Sequence, residues 1–394
     1  MNSVLLPSSK SLWNRYQILG SFSQSLSLQA NNPGTDVLEL KRALQDLKEG
    51  AAEFELGLGG TSLRFFLARV SREPGVFRVR AHPGLLKRPL APLCRALQSL
   101  GVKIELFADH VRVESQGWQE PKGPLIVESV ESSQFASAIL LASLELNFEL
   151  ALEVRGDASS EYFRMSVQAW ESLTGQSWAG VAPKGSALRP KLEVGVEGDW
   201  SSAWSVVGAC LGKAFKQGSP GASVQLRPLH SDSTQPDATF QRLLEFWGLP
   251  FRFNADLRKE SLEILSFPSR WKAVDDFDLG SSPDLFPVLA SVLALAKGRS
   301  QVRGVRNLVF KESNRCDAVL DLLGRAGFLC GCSDDLFWVE GQSAPFAKAF
   351  DFDPRQDHRM AMAAAVLMAA GWPIQLRDRE VVSKSFPGFW ETIE

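Results

Sequence analysis

The chain has 394 residues, 45% of them hydrophobic and 22% charged, which is enough for two or three domains with cores of their own. Its 43 basic and 45 acidic side chains leave a net charge of -2, so no overall field draws it to nucleic acid or anionic membrane, and any basic character that matters is local. Residues 1–10 lack signal-peptide character, no apolar run reaches the roughly 18 uncharged residues of a spanning helix, and five scattered cysteines make no disulfide framework. A reducing cytoplasm fits, with Cys94, Cys210, Cys316, Cys330 and Cys332 as buried or free thiols.

Along the chain one pattern recurs. A helix of small apolar residues starts at a Ser, Thr, Asp or Gly; further on come an amphipathic helix, a glycine and a strand-like run. The first small-residue helix begins near Ser11, an amphipathic one spans 37–47, and a second small-residue helix begins near Thr61. Leu90, Leu93, Leu97 and Leu100 then share a helical face over 89–100. Pro89 suits the first helical position there and Gly101 the left-handed position past the end. Residues 102–106 alternate like a half-buried strand. Ser133 opens the third small-residue helix, followed by an amphipathic stretch over 162–173. Later small-residue helices start near Ser201, Asp284 and His358, with amphipathic ones over 240–247 and 316–326; Gly175, Gly248 and Gly327 follow three of the amphipathic helices. Six units of α and β character cannot each bury an apolar face alone, so they are expected to pack into α/β domains of three units. The crossing is placed at Glu197-Gly198-Asp199.

The polar signals cluster at the starts of the small-residue helices: Ser9-Lys10-Ser11, Gly59-Gly60-Thr61, Ser132-Ser133-Gln134, Pro283-Asp284 and Asp357-His358-Arg359. A helix N-terminus offers unpaired N–H groups and partial positive charge. Any one of these residues reads best as a simple cap. Five such ends, joined by Lys10, Arg15, Arg88, Arg359 and Lys384, suggest a polyanionic ligand. Gly57-Leu58-Gly59-Gly60-Thr61 lacks the third glycine of a dinucleotide fingerprint and the Lys of a P-loop, so it reads as a tight turn. Lys311 and Arg315, four apart, would share a helical face beside Glu312. The four histidines show no zinc spacing, and no Gly-x-Ser-x-Gly elbow occurs; neither a metal nor a cofactor is expected.

These motifs resemble those of the enolpyruvyl transferases, the shikimate-pathway branch in particular. Lys10-Ser11-Leu12-Trp13-Asn14-Arg15 looks like their Lys-Ser-x-x-Asn-Arg, and Gly57 to Thr61 with Arg64 resembles their Gly-Asn-x-Gly-Thr…Arg loop. Leu85-Leu86-Lys87-Arg88-Pro89, Ser132-Ser133-Gln134-Phe135, Ser159 with Tyr162, Pro283-Asp284, Asn307 with Lys311-Glu312 and Arg315, Asp357-His358-Arg359-Met360-Ala361, and Lys384-Ser385-Phe386-Pro387 complete nine motifs in family order.

The resemblance implies two domains, each of three βαβαββ units: 11–198, and a discontinuous 1–10 plus 199–394, with a hinge near Lys10 and Asp199 and ligands in the cleft between them. It implies that Lys10, Ser11, Arg15, Ser132, Ser133, Gln134, Ser159, Tyr162, Asp284, Asn307 and Lys311 hold shikimate 3-phosphate. Lys10, Gly60, Arg88, Gln134, Arg315, Arg359 and Lys384 would hold phosphoenolpyruvate. Asp284, Glu312 and Lys10 would be catalytic, in a metal-free addition–elimination by a cytoplasmic monomer.

Some positions depart from the family pattern: Leu58 for Asn, Ser8 for Gly, Ala81-His82 for Gly-Asp, and Asn314 for Asp. Two other readings stand beside the main one. The sister transferase acting on UDP-N-acetylglucosamine usually carries Asn after the first Lys and a Cys just ahead of Arg-Pro, neither of which is present here. A catalytically silent anion-binding relative has only Leu58 and Ser8 in its favour.

Overall fold

Helices made of Ala, Ser, Gly and Leu can lie close together, and the computed structural model uses this in the second half of the chain. It describes residues 2–23, 26–156, 160–254, 260–341 and 348–394. Trp200–Gln217, Phe286–Ala294 and His358–Ala369 pack on one another. A Cβ on Gly208 would stand 2.9 Å from Val288 and Val366, and one on Gly212 would stand 2.5 Å from the Val366 carbonyl oxygen. Both positions need glycine because another helix passes there. The corresponding trio in the first half is Lys10–Gly20, Gly60–Val70 and Gln134–Leu141.

The chain forms two compact units: Lys10–Val196, and Met1–Ser9 with Glu197–Glu394. Around the helix trios, sheets repeat one design. Glu53–Glu55, Gly60–Val70, Pro74–Arg80, Ala91–Ser99, Lys103–Leu106 and His110–Gln116 follow in the order strand, helix, strand, helix, strand, strand. The first two strands pair parallel and the last two join antiparallel. Phe277–Asp278 to Leu336–Glu340 repeats this order and pairing in the other unit. A right-handed crossover through a helix is the standard route between neighbouring parallel strands. Asn2–Leu5, Val224–Arg227, Phe251–Asn254 and Ser261–Ile264 form a third four-stranded sheet with the same pairing, and the other repeats are shorter among the described residues, as in the pair Phe350–Phe352 and Ile374–Leu376.

Two strands come from distant parts of the chain. Asn2–Leu5 lies parallel to Val224–Arg227, with Asn2 opposite Val224. Leu192–Gly195 lies parallel to Leu26–Gln29. Each supplies the strand that its neighbouring small-residue helix would otherwise lack.

Each unit has its own aromatic core. Phe54, Phe65, Phe66, Phe135 and Trp170 are buried in the first, and Trp200, Trp204, Phe240, Phe286 and Phe337 in the second. Trp200 and Trp204 stand 5.4 and 5.2 Å from Phe240 between ring centroids. Such rings bury large areas and dominate core energetics.

Local detail departs from expectation ahead of the strand Lys103–Leu106. The helix expected over 89–100 is Ala91–Ser99, preceded by a short turn of helix at Pro83–Leu86, and its first-turn proline is Pro92 rather than Pro89. The leucine face still fixes its buried side, and Gly101 takes φ +83° as a left-handed terminator should. Gly175, Gly248 and Gly327 also have positive φ, at 74°, 65° and 88°.

Candidate active site

In the unit Lys10–Val196 the family-motif residues are tied mainly by neutral hydrogen bonds and by arginines facing carbonyls, with Lys10 ion-paired to Asp36. Arg15 is 1% exposed. Its Nε donates to Ser166 Oγ at 2.8 Å, Nη1 to the Ser11 carbonyl at 2.7 Å and Nη2 to the Tyr162 carbonyl at 2.8 Å. Burial brings its pKa down to about 10. Arg15 therefore fixes Ser11 and Tyr162 from inside the unit.

Arg64, also buried, donates to Gln134 Oε1 at 2.5 Å and to the Pro89 carbonyl at 3.0 Å. Gln134 Nε2 in turn donates to Thr61 Oγ1 at 2.9 Å. Burial and then the positive charge of Arg88 hold the Arg64 guanidinium well below its usual pKa. This chain links three motif segments: the glycine turn, the segment before Leu90 and the start of Gln134–Leu141. Ser132 Oγ accepts from the Gln134 N–H at 3.3 Å, while Ser133 is buried.

Half-buried Arg88 lies over Gly60, where a Cβ would stand 2.6 Å from its Nη1, so a larger residue there would displace the guanidinium. Lys10 Nζ donates to Asp36 Oδ2 at 3.0 Å, and Asp36 is 3% exposed. Ser159 lies outside the described residues.

The unit containing Glu197–Glu394 is built differently. Asp284 Oδ1 receives Arg315 Nη1 at 2.8 Å and Lys311 Nζ at 3.3 Å. Arg315 is 2% exposed and reaches Asp357 as well, with Nε to Oδ2 at 2.9 Å. Burial alone would raise the Asp284 pKa, but Lys311, Arg315 and Arg359 outweigh it and hold the carboxyl well below the usual range. Burial pushes Asp357 the same way and Arg315 pulls it down, leaving it lowered. Arg315 is opposed by burial and raised by Asp357 and Asp284, so it stays charged.

Beside this network Glu312 Oε2 is hydrogen-bonded to His358 Nδ1 at 3.1 Å, with Lys384 Nζ 3.6 Å away. Lys384 Nζ also donates to the Gln356 carbonyl at 2.6 Å. Asn307 sits half-buried in the turn Arg306–Phe310. Arg359 is 3% exposed; Nη2 donates to Ser201 Oγ and lies 3.9 Å from Asp199 Oδ1. Its Nε and Nη1 are buried with no hydrogen-bond partner among the described residues. Buried guanidinium donors left unpaired are costly, and an anion at that position would satisfy them.

The expected helical face joining Lys311 and Arg315 is not what brings them together. Asn314 caps the helix by accepting from the Asp317 N–H, so helix Arg315–Arg325 begins at Arg315 and Lys311 is extended. Both cations meet on Asp284 instead. The same cap accounts for Asn314, since Asn and Asp cap about equally well.

Sequence reasoning gave no role to Asp36, Asp357 or His358. Asp357 and His358 lay inside a quoted motif; for Asp36 no signal in the chain distinguished it from other surface-type acids.

The family model for EPSP synthase (3-phosphoshikimate 1-carboxyvinyltransferase) matches residues 26–393. The chain belongs to this family. Among curated relatives, the 3-phosphoshikimate 1-carboxyvinyltransferase of Syntrophobacter fumaroxidans is 31% identical over 347 residues, covering 86% of this chain and 78% of its own. That of Thermococcus kodakarensis is 32% identical over 344 residues, covering 85% and 78%. The EPSP synthase structure from Acinetobacter baumannii superposes with a TM-score of 0.73 at 21% identity, covering 99% of this chain and 94% of that one. The enolpyruvyl transferase NikO from Streptomyces tendae gives 0.73 at 16% identity, covering 100% and 94%. These two structures share the fold.

Among the described residues of this EPSP synthase family member, two groups have donor sets of the kind metals use: Glu312, Asp357 and His358, and His230, Asp232 and Glu260. In the first, Asp357 already accepts from Arg315 and from Ser313 Oγ, and Glu312 faces Lys384. Cations of the protein itself thus meet those oxygens. Among the described residues no helix is long and apolar enough to cross a membrane.

Proposed function

We propose that this chain transfers the enolpyruvyl group of phosphoenolpyruvate to the 5-hydroxyl of shikimate 3-phosphate and releases phosphate, as a cytoplasmic monomer. The observation that carries the reading is one cation-rich cluster holding two carboxylates in opposed settings: Asp284 between Lys311 and Arg315, and Glu312 against His358. Addition–elimination needs one group to take a proton from the attacking hydroxyl and another to give and later remove a proton at the enol carbon. Carboxylates in unlike environments can divide that work.

Asp284 orients the hydroxyl and accepts its proton. Held well below the usual range it is ionised at any working pH, yet it is a weak base while Lys311 and Arg315 face it. A phosphorylated ligand that draws Lys311 to its own oxygens strengthens that base. Glu312, with Lys10 as its helper, protonates the methylene carbon and then deprotonates the methyl group of the tetrahedral intermediate. Arg88, Arg359 and Lys384 steady the phosphate as it leaves, and the open donors of Arg359 suit this role. Ser11, Ser132, Ser133, Gln134, Ser159, Tyr162, Asn307 and Lys311 hold shikimate 3-phosphate, with Arg15 keeping Ser11 and Tyr162 in place. Phosphoenolpyruvate is held by Lys10, Gly60, Arg88, Gln134, Arg315, Arg359 and Lys384.

The test is incubation with both ligands, following phosphate release and the enolpyruvyl product together. Phosphate released without that product, or no phosphate at all, overturns the reading.

A further inference from the structure

Five cysteines occur and all are free, but they are not alike. Burial pushes Cys94 and Cys210 up to about 11, which leaves them poor nucleophiles. Cys316 lies in the first turn of helix Arg315–Arg325, and Cys332 on the edge strand Cys330–Ser333. That helix packs on that strand, and the two sulfurs stand 2.9 Å apart. Cys316 is buried while Cys332 is half-buried, so a small reagent reaches Cys332 first. The two thiols share one hydrogen bond, so loss of a proton from the pair leaves a thiolate held by the remaining S–H, and the more exposed sulfur of Cys332 is the one a reagent meets.

We propose that Cys316 and Cys332 are a modification site at which a peroxide forms a reversible disulfide. The Cys332 thiolate attacks one peroxide oxygen; the O–O bond breaks, and the departing hydroxide takes a proton and becomes water. The Cys316 sulfur then attacks the Cys332 sulfenic acid, the S–O bond breaks, and a second water leaves with the Cys316 proton. The two sulfurs lose two electrons and the peroxide gains them. The sulfurs need close by only about 1 Å to reach bonding distance. The bond ties the start of the helix that carries Arg315 to the sheet edge. Cys330, two residues from Cys332 on the same strand, is raised rather than lowered by burial and by its neighbour, and remains a thiol.

The full chain, treated with a small molar excess of hydrogen peroxide and then denatured, should titrate three thiols instead of five. Its mass should fall by about 2 Da, its peptide map should join Cys316 to Cys332, and dithiothreitol should restore the starting state. Oxidation should raise the melting temperature by several degrees, because a closed loop restricts the unfolded chain. Cys330→Ser should leave all of this unchanged. Cys316→Ser should abolish the link and let Cys332 pass on to sulfinic acid. Five remaining thiols, a Cys330–Cys332 link, a link between two chains, or sulfinic acid at Cys332 while Cys316 stays free would each overturn the proposal.

Discussion

Buried Arg15 and Arg64 in one unit and buried Arg315 in the other are surrounded in opposite ways. In Lys10–Val196, Arg15 and Arg64 spend their donors on carbonyl, hydroxyl and amide oxygens, and Arg72 on the carbonyls of Ala142 and Leu144. Burial there lowers the pKa of all three. In Glu197–Glu394, Arg315 faces two carboxylates and is raised. The first arrangement fixes loop geometry without storing opposite charge. The second stores charge that can be redistributed when an anion arrives. The contrast suggests recognition built on a rigid neutral frame in one unit and proton transfer built on an ionic network in the other.

The largest test of that contrast is Asp357→Asn. It leaves Arg315 buried with one carboxylate fewer, so unfolding in denaturant should cost about 3–5 kcal/mol less. Gln134→Ala, which removes one acceptor from buried Arg64, should cost less, about 1.5–3 kcal/mol. Equal losses would erase the distinction.

Next come the carboxylates proposed for chemistry. Asp284→Asn and Glu312→Gln should each lower turnover by roughly 100-fold or more while ligand binding, followed by calorimetry, survives. Near-normal turnover in either variant removes that residue from the mechanism.

A smaller effect concerns acid. Asp284 and Asp357 have folded pKa values below their unfolded ones. Their contribution is complete above the unfolded carboxylate value near 3.9 and is lost as pH falls through the lower folded values, at about 1.4 kcal/mol for each tenfold difference in proton affinity between the folded and unfolded carboxylate. Hydrogen exchange on acidification should therefore rise in helices Phe286–Ala294, Arg315–Arg325 and His358–Ala369 before it rises in Gly60–Val70. Simultaneous loss would contradict a local ionic origin.

The smallest concerns Leu58, which is half-buried and not among the apolar side chains packed against the core of its unit. Leucine can neither donate nor accept where the resemblance implies an amide, whose polar contact would be worth about 0.5–1.5 kcal/mol. Leu58→Asn should lower the phosphoenolpyruvate KM severalfold and leave shikimate 3-phosphate affinity and melting temperature nearly unchanged. A lower melting temperature without a gain in KM would show that Leu58 is there for packing.

Much of this could be read from residues in order. Leucine spacing and glycine stops placed the amphipathic helices, because period and left-handed φ are local properties. Motif order pointed to the family. What escaped depends on partners remote in sequence. Nothing near Arg15 announces that Ser166 and Tyr162 will occupy its donors. Lys311 and Arg315 looked like a helical pair because spacing cannot show that Asn314 delays the helix. Pro89 and Pro92 both suit a first turn, and only packing of the leucine face chose between them. Asp36 gains meaning only from Lys10, 26 residues away.

The pairing of Asn2–Leu5 with Val224–Arg227 has a consequence for synthesis on the ribosome. Every strand described in Lys10–Val196 finds its partners within that segment, so this unit can fold as soon as it has emerged. Asn2–Leu5 is translated before it but has no strand to join until some two hundred further residues have appeared. That short segment must wait, unpaired, beside a unit that is already folded. Shortening it should therefore spare the nascent Lys10–Val196 and impair the final maturation of Glu197–Glu394, a fault in the part of the protein made last, caused by a change in a part made long before.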